Sequence, residues 1–112
     1  MIAWVAMAAI GSVGALLRHR IGLRWSAPGI LVVNLSGTFV LGVLTGAAVH
    51  GAALMILGTG FCGAYTTFST FAQETYGLVE EKALGLALLN ATASVGLGML
   101  AVLVGARVGR LL

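Results

Sequence analysis

The sequence contains few charged residues. Lys, Arg, Asp and Glu together make up 8% of its 112 residues, whereas soluble domains carry about 25% charged residues. Hydrophobic residues account for 60% of the chain. A soluble fold of this composition would expose more apolar surface than water tolerates. The composition therefore excludes an ordinary soluble domain and indicates a protein whose solvent is the lipid bilayer.

Three long stretches contain no charged side chain. They are residues 1–17, residues 26–73 apart from the titratable His50, and residues 83–106. A helix that spans the bilayer takes about 20 apolar residues, so the middle stretch is long enough for two. We predict an all-α integral membrane protein that forms a single transmembrane domain over residues 1–112. Its four helices are expected at about 1–18, 27–49, 52–77 and 83–106.

Cysteine and N-terminal charge are also scarce. Cys62 is the one cysteine, which excludes an intramolecular disulfide and a cysteine metal cluster. A secretory signal peptide needs positive charge before its apolar stretch, but here Arg18 and Arg20 follow that stretch. The first segment is therefore interpreted as a helix. The net charge of +3 lies at helix ends and favours contact with lipid headgroups over nucleic acid.

The positive residues give only a weak orientation signal. One side of the membrane would receive four of them and the other side two, namely Arg18, Arg20, Arg24 and Lys82 against Arg107 and Arg110. Such residues normally decide topology. Two interpretations stay open: pairing with an oppositely inserted copy or related partner, or one fixed orientation with the first loop inside.

The third predicted helix contains a run of poor helix formers. Gly58, Gly60 and Gly63 are followed by the polar and aromatic residues 66–71. Irregular backbone at membrane depth survives only inside protein or beside a wet cavity, and its freed carbonyl groups can hold a cation. We predict that this helix is broken mid-membrane. The alternative is a continuous helix whose hydroxyl groups bond to its own carbonyls.

Polar residues share faces on two neighbouring helices. Asn34, Thr38 and Thr45 lie on one side of the second helix, and Asn90 and Ser94 are one turn apart on the fourth. Each could serve only to hydrogen-bond neighbouring helices to one another. Together with the hydroxyl groups of the third helix they would line one polar track, and their N–H and O–H donors suit an anion.

Two aromatic residues could complete such a track. Phe68 and Phe71 are three residues apart and share a helix face. Ring edges carry the positive part of the aromatic quadrupole, so a small anion could lie against them. Nothing in the sequence offers the carboxylate ring of a cation pore. These residues alone indicate a small anion.

The string from Gly60 to Phe71, GFCGAYTTFSTF, is similar to the third-helix signature of the small bacterial fluoride channels, the Fluc or CrcB family. The segments Gly11–Arg18 and Val33–Phe39 resemble the first and second helices of that family. The resemblance covers nearly the whole chain in order. It departs in the fourth helix, where the family often has a tyrosine followed by serines and this chain has Asn90, Ser94 and Gly98.

The resemblance implies an antiparallel, dual-topology dimer in the inner (plasma) membrane, either a homodimer or a heterodimer with a homologous subunit. It implies a fluoride path lined by Asn34, Thr67, Phe68, Ser69, Phe71 and Ser94. It also implies a structural Na⁺ held by the backbone carbonyls of Gly63 and Thr66 from both subunits. Arg18, Glu74 and Asn90 match positions with possible supporting roles.

The implied activity is a passive leak that lowers cytoplasmic fluoride. Two other classes are weighed against it. A small multidrug-type exporter needs a membrane-buried acid to couple protons, and residues 1–18 contain no acid. A non-conducting membrane subunit would pass no ion at all. An enzyme is not expected, since no catalytic pair occurs at a plausible spacing.

Overall fold

The computed structural model describes residues 1–24 and 30–112, and all regular structure within these ranges is helical. The first element, α1, is Ile2–Gly46, of which Ile2–Arg24 and Ile30–Gly46 are the described parts. The predicted start of a second helix at residue 27 lies outside the described residues. The remaining elements are α2 (Gly51–Leu54), a π-helical segment (Met55–Cys62), α3 (Gly63–Tyr65), α4 (Phe68–Glu80) and α5 (Leu84–Arg110).

Three described helical stretches are long and apolar enough to cross a membrane: Ile2–Arg24, Gly51–Glu80 and Leu84–Arg110. Ile30–Gly46 is a shorter apolar helix. Large apolar side chains such as Leu86 and Leu103 are exposed on α5, while few apolar residues are buried. An apolar exterior of this kind is compatible with lipid as the surrounding medium.

Glycine allows the end of α1 to pack directly against α5. An added Cβ at Gly42 would overlap the carbonyl oxygen of Val102, and one at Gly105 would overlap that of Phe39. Gly46 and Gly109 repeat the same contacts one turn further on, against Ala106 and Val43. The two small-xxx-small motifs of the chain thus face each other, and their backbones approach closely because neither helix carries a side chain there.

A second glycine contact places the π-helical segment against the first part of α1. The position of a Cβ on Gly14 would lie 2.7 Å from the carbonyl oxygen of Phe61, and one on Gly60 would lie 2.9 Å from Met7 Cγ. The π-helical segment is a wider turn of the kind often found at functional sites. A further contact, of Gly37 with the side chains of Tyr65 and Thr66, places the end of α3 alongside Ile30–Gly46.

Two residues of extended backbone separate α3 from α4. Thr66 has φ −79° and ψ 157°, and Thr67 has φ −146° and ψ 124°. Thr67 then acts as the N-cap of α4, since its hydroxyl oxygen accepts a long hydrogen bond (3.4 Å) from the amide of Thr70. Threonine suits this place because its side chain satisfies an amide that has no partner within the helix. We call Thr66–Thr67 the break.

Candidate functional site

A cavity of about 660 Å³ lies beside the break. It is bounded by the end of α1, the π-helical segment, α3, the start of α4 and the middle of α5. Residues from these elements that were predicted to hold or conduct ions line it: Asn34, Gly63, Thr66, Thr67, Phe68, Phe71 and Ser94. The fold therefore brings most of the predicted site to one place, although the residues are spread over 60 positions of the chain (34 to 94).

Asn34 is bonded twice to the backbone of the break. Its Nδ2 donates to the Thr67 carbonyl oxygen at 3.0 Å, and the Thr67 amide donates to its Oδ1 at 2.8 Å. The carboxamide thus pairs with Thr67 as a neighbouring strand would, which suits the extended conformation of that residue. The amide group has two N–H donors, so one of them is left to face the cavity. Asn34 therefore holds the backbone and can also present a donor to an ion.

Three of the six hydroxyl groups that line the cavity direct their protons to their own helix. Thr38 donates to the Asn34 carbonyl at 2.7 Å, Thr45 to Gly42 at 2.9 Å, and Thr66 to Cys62 at 2.9 Å. Each hydroxyl has one proton, so these threonines offer the cavity lone pairs and methyl groups rather than donors. The prediction that threonine hydroxyls along this face donate to an anion is not supported at these positions.

Ser94 differs from these threonines. It lies on α5 across the cavity from the break and is half-buried. Within the described part of the chain, its hydroxyl forms no hydrogen bond with the protein. Its proton is thus available to a guest in the cavity. The hydroxyls of Ser94 and Thr59 and the second N–H of Asn34 are the polar donors that the described part of the cavity offers.

The rings of Phe68 and Phe71 form one wall of the cavity. Their centroids are 5.7 Å apart and the ring planes are tilted by 47°. Phe68 is 78% exposed, so one side of this ring lies open in the single chain. Tilted rings present edges as well as faces, and the edges carry partial positive charge. A small anion among these rings, Asn34 and Ser94 would meet weakly positive groups from several directions.

The model of the family described as CrcB-like protein, Camphor Resistance (CrcB), matches residues 5–106. The chain belongs to this family. Similar proteins include Fluoride-specific ion channel FluC 2 of Mycolicibacterium paratuberculosis, 46% identical with 96% of this chain and 94% of the relative covered. Fluoride-specific ion channel FluC of Deinococcus radiodurans is 42% identical, with 95% and 94% covered. FluC 1 of Streptomyces avermitilis is 43% identical, with 91% of each covered.

The family resemblance predicted from residues 60–71 is therefore confirmed. Membership of the CrcB-like family, together with the apolar helices, makes this chain a multi-pass membrane protein and not an enzyme. The residue roles that the resemblance implies stay predictions, and the geometry shows which of them are possible.

Among the described residues of this CrcB-like chain, two carbonyl groups at the break lack the amide partner of a continuous helix. In a continuous α-helix the amide of Thr67 would donate to Gly63, and that of Thr70 to Thr66. Here Thr67 donates to Asn34 Oδ1 and Thr70 to Thr67 Oγ1. The carbonyl oxygens of Gly63 and Thr66 thus lose the partners a helix would give them. Oxygen ligands suit hard cations, so the two carbonyls predicted to hold Na⁺ fit that role chemically.

Ser69 and Arg18 lie on the other side of the break. They line a second cavity of about 320 Å³, together with Thr67 and Thr70. Thr67 lines both cavities and is 8% exposed, so it forms part of the wall between them. The structure therefore places Ser69 outside the 660 Å³ cavity and links it to that cavity only through Thr67, whose hydroxyl is 3.3 Å from the Ser69 hydroxyl.

Glu74 and Asn90 line neither of these cavities. Glu74 is half-buried on α4. Asn90 donates from Nδ2 to the hydroxyl of Thr75 at 2.9 Å, which joins α5 to α4. Of the fourth-helix residues predicted to form a polar track, Ser94 alone lines the 660 Å³ cavity in the described residues.

Sequence reasoning missed the pair formed by Tyr65 and Ser36. The two hydroxyl oxygens are 2.9 Å apart, and the Tyr65 ring stacks on Phe61 with centroids 5.4 Å apart. A Cβ on Gly37 would overlap Thr66, so the helix carrying Ser36 touches the break directly. The sequence contained a clue to this pair. Ser36 and Gly37 closely follow Asn34, and Tyr65 directly precedes the break, so both hydroxyl groups lie next to residues that were predicted to form the site.

Proposed function

We propose that this chain is the subunit of a fluoride-selective channel that lets F⁻ leave the cell passively across the plasma membrane. The observation that carries the proposal is the cavity at the break, where the Asn34 amide, the Ser94 hydroxyl and two phenylalanine rings converge. Relatives that cover nearly the whole chain are named fluoride-specific ion channels. A negative interior drives a monovalent anion outward by about 2.3 kcal/mol per 100 mV, so no energy coupling is needed.

Selectivity would follow from how closely donors approach the ion once a second subunit covers the open side of the cavity. Fluoride is small and strongly hydrated, so its water can be replaced only by donors that approach it closely. The cavity offers the donors of Asn34, Ser94 and Thr59 and two ring edges, whereas the protons of Thr38, Thr45 and Thr66 are bound to their own helices. The larger chloride ion would not fit such a close shell. We therefore place the selective step at Asn34, Phe68, Phe71 and Ser94.

The channel is proposed to be an antiparallel dimer, with an oppositely inserted copy or a homologous subunit as the partner. Phe68 is 78% exposed and Gly63 is also exposed in the single chain, although both line the cavity. A wall with one open side needs a second surface to exclude lipid and water. The weak charge bias between the two sides of the membrane supports insertion in both orientations.

A structural Na⁺ is proposed at the dimer axis, with the break at the middle of the membrane. The carbonyls of Gly63 and Thr66 from two subunits would supply four oxygen ligands. The cation would neutralise carbonyl dipoles that the helix leaves without amide partners, and such groups are costly to bury unpaired. The ion would thereby hold the two breaks together and would not itself be transported.

Thr66→Ser is expected to leave Na⁺ binding and fluoride flux nearly unchanged, within about twofold, because the proposed ligand is the backbone carbonyl and a serine hydroxyl can still bond to Cys62. The measurement is the rise in melting temperature of purified protein on replacing N-methylglucamine with Na⁺, together with fluoride efflux. A large loss in Thr66→Ser would show that the side chain is the ligand. Absence of Na⁺ stabilisation in the unmodified protein would remove the cation from the proposal.

Fluoride-electrode efflux from liposomes containing this chain alone tests the proposed function. Efflux of F⁻ driven by a K⁺ gradient with valinomycin, without Cl⁻ efflux under the same conditions, is the expected result. No flux from correctly assembled protein would favour a non-conducting subunit or an obligatory heterodimer, and adding a homologous partner separates these two. Proton-driven uptake of a cationic dye would instead support a multidrug-type exporter.

Phe71→Ile and Phe68→Ile are each expected to lower fluoride efflux by about tenfold while leaving the dimer intact. An aliphatic side chain keeps apolar volume but loses the ring edge, whose interactions are worth about 0.5–1.5 kcal/mol. Phe61→Ile is the matched control, because Phe61 stacks on Tyr65 and does not line the cavity. Efflux from liposomes reports the rate and size-exclusion chromatography reports assembly. Unchanged flux in both cavity variants would remove the ring edges from the mechanism.

A further inference from the structure

Asn90, Thr75 and the backbone carbonyl of Phe71 form a series of hydrogen bonds that links α5 to α4. Asn90 Nδ2 donates to Thr75 Oγ1 at 2.9 Å, and Thr75 Oγ1 donates to the Phe71 carbonyl at 2.9 Å. The amide nitrogen can only donate and the hydroxyl has one proton. The direction of the series is therefore fixed: Asn90 donates to Thr75, and Thr75 donates to Phe71.

These hydrogen bonds matter because few other contacts fix the rotation of α4 about its own axis. This helix, all of which is described, buries none of its residues. Its first turn is tied to α1 through the Asn34–Thr67 pair. The Asn90–Thr75 bond ties its second half to α5. Thr75 lies four residues after Phe71, so the two side chains share a helix face, and turning Thr75 away from α5 would also turn the Phe71 ring.

We propose that Asn90 is a positioning residue that sets the direction of the Phe71 ring through Thr75 and is not a ligand of the permeant ion. The inference rests on the proposed function for its effect on flux. The position of Asn90 on α5 argues against a ligand role: Ser94, one turn further on, lines the cavity and Asn90 does not. In addition, the N–H that Asn90 donates to Thr75 directs its carboxamide towards α4.

A double-mutant cycle distinguishes positioning from ligation. Asn90→Leu and Thr75→Val are each expected to lower fluoride efflux about fivefold, the effect of losing one hydrogen bond. Fluoride efflux through the double variant should be no slower than efflux through the slower single variant, because both substitutions break the same series of hydrogen bonds. Thr75→Ser, which keeps the hydroxyl, should restore the rate. If Asn90 were an ion ligand, Thr75→Val would conduct like the unmodified protein.

Thr92→Val is the matched control for loss of a hydroxyl. Thr92 is exposed on α5, and its hydroxyl donates to Leu88 of its own helix at 2.8 Å. The substitution has the same chemistry as Thr75→Val but leaves the link to α4 intact. Unchanged efflux is expected. A fivefold loss in this variant would show that removing a threonine hydroxyl lowers efflux even where no link between α5 and α4 is broken. That result would overturn the positioning role.

A measurement without flux tests the position of the ring itself. 4-Fluorophenylalanine at position 71 gives a ¹⁹F resonance whose shift depends on the environment of the ring, and a label at Phe61 serves as reference. Asn90→Leu and Thr75→Val should shift or broaden the signal at position 71 alike and leave that at 61 unchanged. An unaltered position-71 signal in Thr75→Val would overturn the inference. If the two variants show the shifts but the unmodified protein conducts no fluoride, the positioning role stands and the proposed function alone is disproved.

Discussion

Asn34→Leu is expected to abolish fluoride efflux, with a loss of at least about 100-fold, and to destabilise the folded chain. Leucine has a similar volume but removes the side-chain partners of the Thr67 amide and carbonyl, and the carbonyl has no replacement donor. Thr67 is 8% exposed, and each buried group left unsatisfied costs about 1–3 kcal/mol. The extended conformation of the break would no longer be held, and the second N–H of Asn34 would be lost from the cavity. Liposome efflux and thermal unfolding in detergent measure the two effects.

Asn34→Asp separates the backbone role of Asn34 from its role as a donor. A protonated carboxyl group can still accept from the Thr67 amide and donate to the Thr67 carbonyl, so in this form the variant should be more stable than Asn34→Leu. Its fluoride efflux should still be low, since a carboxyl group adds negative charge or loses the free N–H beside the anion. Thr38→Val, on the same helix face, is the control and should conduct normally because that hydroxyl donates to its own helix. Normal efflux and stability in Asn34→Leu would show that the pair with Thr67 is dispensable.

The same two variants connect the anion path with the proposed cation site. The Thr67 amide donates to Asn34 and therefore not to Gly63. With leucine at position 34, the amide regains Gly63 as its available acceptor, and closing that bond would remove a proposed Na⁺ ligand. Stabilisation by Na⁺ should thus be lost in Asn34→Leu and kept in Asn34→Asp. One side chain would then support both ions, the anion by donating and the cation by freeing a carbonyl.

The sequence predicted the elements of this site better than their bonding. Long uncharged apolar stretches and short connections indicate membrane helices. The run of threonine, serine and glycine indicates where α3 ends and α4 begins. The pairing of Asn34 with Thr67 joins residues 33 positions apart, and no spacing rule reveals which backbone group a lone amide will find. The sequence-based interpretation treated Asn34 as an ion donor alone because its backbone role depends on the extended conformation of Thr67.

Hydroxyl groups illustrate the same limit. Composition counts Thr38, Thr45 and Thr66 as donors, but in a helix a threonine hydroxyl readily bonds to the carbonyl three or four residues earlier. The structure shows this at all three positions. Donor capacity at such a site depends on rotamers, which a sequence pattern does not contain. Ser94 is distinguished from these threonines only when the cavity around it is known.

Helix ends were harder to predict than helix cores. The described structure ends α1 at Gly46 and carries α4 to Glu80 and α5 to Arg110, whereas the hydropathy pattern suggested about 49, 77 and 106. Hydropathy marks the apolar segment, but a helix continues into polar surroundings while its hydrogen bonds are satisfied. Arg107 and Arg110 lie in the last turn of α5, where positive charge interacts favourably with the helix dipole.

Gly105→Ala is expected to lower the free energy of unfolding by about 3 kcal/mol, the upper part of the usual range for overpacking. The added methyl group would overlap the carbonyl oxygen of Phe39. Backbone atoms cannot turn aside as a flexible side chain can, so α5 must move away from the end of α1. That movement would also loosen Gly109 and carry Ser94 away from the break. Fluoride efflux should fall together with stability.

Gly96→Ala on the same helix is the matched control. Within the described part of the chain, a Cβ at Gly96 would meet no atom within 4 Å. Both substitutions gain the same intrinsic helix propensity, about 1 kcal/mol for alanine over glycine, so a difference between them reports packing alone. Thermal unfolding of the purified proteins should place Gly105→Ala well below Gly96→Ala. Equal melting temperatures would mean that the two glycine motifs do not hold α1 and α5 together, and the placement of Ser94 opposite Asn34 would then need another cause.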